Sequence, residues 1–157
     1  NAYCQDNEIN WLNWDESALY AKELASFTSV LTQLRKDFPM LAHDRFIHKD
    51  DKQSKVDITW FHHSGFEMQK EHWHAHHAAT LGFLIANKAT AKPSLLCLFH
   101  AGKKTIEFQL PDLDNIDHWQ VLIDTVSTGE NAEVLTIPAE REITMSPFST
   151  IVLLNDT

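Results

Sequence analysis

The chain places four histidines inside the seven residues "EHWHAHH" (71–77): His72, His74, His76 and His77. Neutral imidazole is the commonest protein ligand for metals, so the chemistry this pattern would support is a metal centre. On a helix, His72 and His76 lie one turn apart and can share an ion; on a strand, His72, His74 and His76 share a face. The sequence leaves both geometries open, and neither completes a ligand set. A helical zinc motif of the H-E-x-x-H kind has Glu directly after the first His, and Trp73 stands there instead. The plainer reading is a polar loop before a strand, anchored by Trp73. No metal is expected, and a histidine-based metal-binding protein is kept as a rival reading.

No other constellation promises chemistry. The sequence has no G-x-S-x-G elbow, no P-loop and no dinucleotide fingerprint, so no catalytic residue and no cofactor are assigned. With 22 acidic residues, a pair of carboxylates can always be chosen after the fact. The five tryptophans could stack on sugar rings, but cores are their commoner use. A net charge of -9 repels phosphate backbones, which argues against nucleic acid as a partner. No apolar run approaches the roughly 18 residues of a membrane helix, so no membrane is expected either. Two cysteines, Cys4 and Cys97, without a CxxC, argue against a disulfide framework and for a reducing compartment.

Two kinds of element must position whatever chemistry exists. From Asp15 to Asp37 the pattern is helical. Tyr20, Leu24, Phe27, Leu31, Leu34 and Phe38 recur at spacings of four and three along one stripe. Asp15 is the expected N-cap, and Pro39 the stop. From residue 55 onward the period falls to two. Val56, Ile58 and Trp60 open a series that continues through 80–86, 94–100, 106–110, 118–124, 133–137, 141–145 and 150–154, with Pro and Gly turn signals between. Eight short strands predict a mainly β protein, an antiparallel β-sandwich preceded by one long α-helix. Polar residues 43–54 are the expected connection. The helical stripe needs a surface to pack against: the expectation is that it packs on the sandwich, packs on a second copy of the chain in a homo-oligomer, or is disordered.

The opening stretch "NAYCQDNEINWLNWD" closely resembles the segment after the last barrel strand in bacterial glycogen debranching enzymes, of the isoamylase-like branch of the α-amylase superfamily. "FTSVLTQLRKDFPML" is similar to the family's final barrel helix. Residues 56–73, with "TWF", "EM" and Trp73, resemble a family segment followed by a Leu-Gly pair, here Leu81-Gly82. "WQVLIDT" and "PFSTIVLL" look like later strands of its C-terminal domain. In the family, the stretch between the tryptophan and the Leu-Gly pair is variable, so the histidines read as local substitution.

The resemblance implies a division into residues 1–50, the end of a catalytic (β/α)8 barrel, and residues 55–157, an α-amylase-type C-terminal β-sandwich. Such enzymes hydrolyse α-1,6 branch linkages of glycogen or limit dextrin in the cytoplasm, with retention. Retention needs two carboxyl groups about 5–5.5 Å apart at barrel strand ends. Those strands would precede Asn1, so the chain alone is expected to be inactive and to brace its own catalytic barrel. Tyr3, Asp6 and Asn7 would lie in the post-strand loop on the substrate side and are the candidate glucan contacts. The simpler role, which their side chains favour, is to hold the loop together. A stand-alone glucan-binding β-sandwich module is the alternative function.

Overall fold

The computed structural model describes residues 3–11, 19–42, 46–47, 54–88, 93–114, 116–127, 135–139 and 141–155. It divides into two compact units, Asn1–Pro39 and Met40–Thr157.

The first unit holds helix α1, Leu19–Asp37. Apolar residues at i, i+3 and i+4 give it one stripe, of which Tyr20, Leu24 and Leu31 are exposed and Phe27 and Leu34 half-buried. Arg35 and Lys36 occupy its last turn, where cations complement the negative end of the helix dipole. Pro39 cannot donate to the preceding turn, so the α-helix stops and a 3-10 segment, Pro39–Ala42, follows. The expected N-cap Asp15 lies outside the described residues, as does most of the expected connection 43–54.

The second unit is the expected sandwich. Its strands are β1 (Val56–Phe61), β2 (Thr80–Asn87), β3 (Ser94–His100), β4 (Ile106–Gln109), β5 (His118–Asp124), β6 (Thr136–Pro138), β7 (Glu142–Met145) and β8 (Ser149–Asn155). Six of them form one antiparallel sheet in the order β1-β2-β3-β8-β5-β6, while β4 and β7 pair as a second, small sheet. One single-turn helix, α2 (Lys70–Trp73), precedes β2. The sequence signals did not separate it from a loop, because four residues are too few to display a 3.6-residue period.

The core lies between the sheets. Phe61, Leu96, Leu98, Trp119, Ile151 and Leu153 from the large sheet meet Phe108 and Met145 from the small one. Leu96, Leu98, Phe108, Trp119, Met145 and Leu153 are wholly buried. Gly82 makes this packing possible. A Cβ there would sit 2.8 Å from Phe108 Cζ and 3.1 Å from Leu98 Cδ2, so only a residue without a side chain lets the Phe108 ring approach strand β2.

Strand alternation sends the intervening residues to the opposite face of the large sheet. Trp60, Phe83, Ile85, Leu95, Cys97, Phe99, Val152 and Leu154 share it, as the pairings Trp60 with Phe83, Phe83 with Cys97 and Cys97 with Val152 require. A bulge between Val121 and Ile123 shifts the parity of β5 and turns Ile123 to this face as well. Both faces of the sheet are therefore apolar. That is the pattern of a sheet in a middle layer, not of one with a wetted side.

Buried His100 closes the β3–β4 connection. Its Nδ1 lies 2.7 Å from the Thr80 hydroxyl and its Nε2 2.7 Å from the Lys104 carbonyl, to which it donates. A Cβ at Gly102 would meet the imidazole at 2.4 Å, so the turn folds over the ring only with glycine there.

Candidate functional site

The loop His62–Glu67, between β1 and α2, organises the most distinctive part of the surface. Its backbone is tied at every step. His62 N–H donates to Phe66 O (2.9 Å), Gly65 N–H to His62 O (3.0 Å), Met68 N–H to Trp60 O (2.8 Å), and Gln109 N–H from β4 to His63 O (2.8 Å). Gly65 adopts φ +81, a left-handed conformation that favours glycine, and a Cβ would stand 3.0 Å from Gln109 O. The "HHSG" tetrapeptide is thus a built turn pressed against β4.

The turn gathers histidines differently from the expected cluster. The His62 ring lies 4.0 Å from His63 and is stacked on His72 at 4.3 Å with 17° between planes. His62 Nδ1 accepts from the Ser64 backbone N–H (3.3 Å) and lies 2.8 Å from its hydroxyl. Burial, then His63, then His72 lower the His62 pKa below its ordinary value. His72 is spent on helix capping, its Nδ1 accepting from the Gln69 N–H (3.1 Å). His74 Nδ1 lies 2.7 Å from Lys70 O, and His76 and His77 are exposed. Because α2 ends at Trp73, His72 and His76 are not one helical turn apart, and no strand aligns His72, His74 and His76. Among the described residues no group of three or more His, Cys, Asp or Glu side chains is arranged to hold a metal.

A cavity of about 740 Å³ opens beside the same turn. Phe61 and Leu110 give it an apolar floor, and Ser64, Glu67, Gln109 and Asp112 give it polar walls. Phe66 stands at its lip with 74% of its surface exposed. Sequence reasoning missed this site, because its walls come from three segments that only the sheet pairing brings together. The one local signal was an exposed aromatic, Phe66, beside a glycine turn.

The expected glucan contacts lie in the first unit. Tyr3 is 85% exposed and, with Cys4, takes a positive φ, 52 and 58 respectively. Asp6 Oδ1 accepts from Trp11 Nε1–H at 2.6 Å. Asn7 Oδ1 accepts from the Ile9 N–H at 3.1 Å, and its carbonyl accepts from the N–H groups of Asn10 and Trp11. Asp6 and Asn7 therefore bond within their own loop, and Tyr3 projects from it.

The tryptophans divide by role. Trp119 is wholly buried in the core. Trp60 packs edge-on to Trp73 at 5.7 Å and beside Phe83 at 5.4 Å, and Phe83 stacks with Phe99 at 5.8 Å. This aromatic row crosses β1, β2 and β3 on the face opposite the core, and Trp73 and Phe99 at its ends are exposed. Cys97, buried on that face, has its thiol pushed up to about 12 by burial, which leaves it inert as a nucleophile. Among the described residues no helix is long and apolar enough to cross a membrane.

The profile of the family described as "Isoamylase, C-terminal" matches residues 57–151. Over 98% of its length the chain is 27% identical to a glycogen operon protein GlgX homolog of Mycobacterium bovis, covering 23% of that protein. It is 31% identical over 77% of its length to the glycogen debranching enzyme of Pectobacterium carotovorum, covering 16% of it. The corresponding enzyme of Cronobacter sakazakii is 33% identical over 48% of the chain, which covers 10% of that enzyme. The chain thus spans less than a quarter of the length of the curated relatives it matches. Among solved structures, trehalose-6-phosphate hydrolase from Bacillus licheniformis aligns over 82% of this chain and 17% of its own, with a TM-score of 0.47 and 18% identity.

Proposed function

The chain belongs to the isoamylase C-terminal family, and from that membership we propose that it works as the C-terminal part of a glycogen debranching enzyme that hydrolyses α-1,6-glucosidic branch linkages in the cytoplasm. The match to glycogen debranching enzymes, each much longer than this chain, supports the reading. The observation that carries it furthest is the large sheet with two apolar faces. The small sheet packs on one of them. The other is already buried at Ile85, Leu95 and Val152 but leaves Trp60 and Phe83 half-buried and Trp73 and Phe99 exposed, and the preceding catalytic barrel is the partner proposed for that aromatic row.

In this reading residues 1–50 complete the barrel, and α1 turns its stripe of Tyr20, Leu24, Phe27, Leu31 and Leu34 to neighbouring barrel elements. Burying each such side chain is worth roughly 1.5–3 kcal/mol, enough to hold the helix in place. Tyr3, Asp6 and Asn7 then stand on the substrate side, with Tyr3 the one projecting toward glucan. The two carboxyl groups of the retaining reaction come from the barrel and not from this chain, because they must flank the scissile bond from the barrel's strand ends. The β-sandwich acts as a brace. Its contribution to rate is positional, and small misplacement of a positioning loop can cost about a hundredfold.

The test is to assay phosphorylase limit dextrin with three proteins: this chain, the upstream barrel ending near residue 50, and the two joined. Debranching by the joined protein only, or much faster than by the barrel alone, is the expected result. Debranching by this chain alone defeats the reading. Full activity of a stable barrel without residues 55–157 defeats the bracing role.

A further inference from the structure

We infer that the cavity beside the His62–Glu67 turn is a binding subsite for an α-linked glucosyl unit of a glycogen-type glucan, away from the bond-breaking centre. The inference rests on the reading of the chain as part of a glycogen-acting enzyme and adds to it a site that the β-sandwich itself supplies.

Four observations converge on a neutral sugar. The first is size. At about 740 Å³ the cavity lies within the roughly 300–1,000 Å³ of small-molecule sites, with room for a sugar unit and its linked neighbour. The second is polarity. Its polar walls hold two acceptors, the carboxylates of Glu67 and Asp112, and groups that both donate and accept, the amide of Gln109 and the hydroxyls of Thr59 and Ser64. Among the described residues no Lys, Arg or His lines it, so a phosphate or carboxylate ligand would meet the like charge of the Asp112 carboxylate. A pyranose brings only neutral hydroxyls, which donate to carboxylates in strong charge-assisted hydrogen bonds.

The third observation is Phe66. An aromatic ring left 74% exposed on a turn is unspent apolar surface, and it stands at the cavity lip. The C–H face of a glucose ring can cover such a ring while its hydroxyl edge reaches the walls. The fourth is rigidity. The turn that carries Ser64, Phe66 and Glu67 is fixed by the four backbone hydrogen bonds described above and by the positive φ of Gly65. A preorganised wall loses little entropy on binding, which matters for a weak, solvent-open sugar site.

The experiment is affinity electrophoresis of the 157-residue chain in native gels with and without glycogen, together with calorimetric titration of maltohexaose. Cellohexaose, the β-linked counterpart, is the specificity control. The expected result is retardation by glycogen and measurable binding of maltohexaose, with cellohexaose much weaker. Phe66→Ala and Asp112→Asn should each raise the dissociation constant roughly tenfold, the loss expected when one good contact is removed. Both side chains are exposed, so thermal unfolding of these variants should match the parent. Trp73→Ala, on the aromatic row of the other face, should leave the affinity unchanged. No retardation, equal binding of cellohexaose, or unchanged affinity in both cavity variants would overturn the inference. Loss of affinity in Trp73→Ala in place of the cavity variants would overturn it too. Binding and debranching are read separately, so a barrel joined to this chain that binds maltohexaose but fails with limit dextrin sinks the enzymatic reading and leaves the subsite standing.

Discussion

The two faces of the six-stranded sheet are equally apolar in sequence and unequally served by the chain. On one face Leu96, Leu98, Ile151 and Leu153 meet Phe108 and Met145 from the small sheet. On the other, Trp60 and Phe83 are half-buried and Phe99 is 40% exposed at the end of the aromatic row. Burial there is graded: Leu95 is wholly buried while Trp73 is 51% exposed. The first face is an interior that the sandwich completes by itself. The second has the composition of an interior and the edge of an interface. The difference explains how a sandwich with only a two-stranded second layer folds and still has apolar surface to give to a partner.

The comparison breaks most visibly at Phe108. Phe108→Ala removes the wholly buried ring that joins the sheets and leaves a cavity, which costs about 3–5 kcal/mol. Urea unfolding should show that loss as a lower midpoint. On the other face Phe99→Ala should cost no more than about 1 kcal/mol, since its ring is already partly in water. A larger loss at Phe99 than at Phe108 would mean that the second face is the true core. Between them comes Gly82→Ala, expected to cost roughly 1–3 kcal/mol through overpacking, because the new Cβ would stand 2.8 Å from Phe108 Cζ. In a Phe108→Ala background that penalty should largely vanish, a coupling that a double-mutant cycle measures.

Much of this was legible in the sequence, for a physical reason. Strands buried on at least one face must alternate or run apolar, and the spans 94–100 and 118–124 coincide with β3 and β5 as observed. β6 was displaced: the span 133–137 was expected and Thr136–Pro138 pairs instead, with residues 131–134 outside the described set. Pro138 read as a turn, yet it ends an edge strand, where its missing N–H costs nothing. What the pattern did not carry was pairing. The order β3-β8-β5 brings distant segments together, and the cavity walls Ser64 and Gln109 meet because β4 of the small sheet bonds the turn after β1, Gln109 N–H donating to His63 O. The histidines show the complementary limit. Their closeness in sequence resembles a ligand set, but α2 ends after four residues and sends His72 to His62 and His74 to the Lys70 carbonyl.

The smallest expected effect concerns that stack, which sits where the aromatic row meets the cavity turn. His62 has its pKa lowered by burial, then by His63 and His72, so the folded state prefers the neutral ring. The geometry agrees: Nδ1 accepts the Ser64 N–H, and a proton on that nitrogen would expel it. A base whose pKa is lower folded than unfolded gives stability that is fully present above its unfolded value, near 6.5, and is lost as pH falls through the lowered folded value. Stability measured by thermal unfolding should therefore hold from pH 8 to about 7 and decline below about 6.5. Replacing His62 by Asn, which keeps an acceptor near Ser64 and cannot gain the proton, should flatten part of that decline. His74→Ala should leave it unchanged, because that ring lies outside the stack. The effect is modest, since His62 is only partly withdrawn from water and solvent screens its neighbours. An identical pH profile in His62→Asn would mean that the stack contributes packing alone. A steeper decline in that variant would place the titrating group elsewhere on the turn.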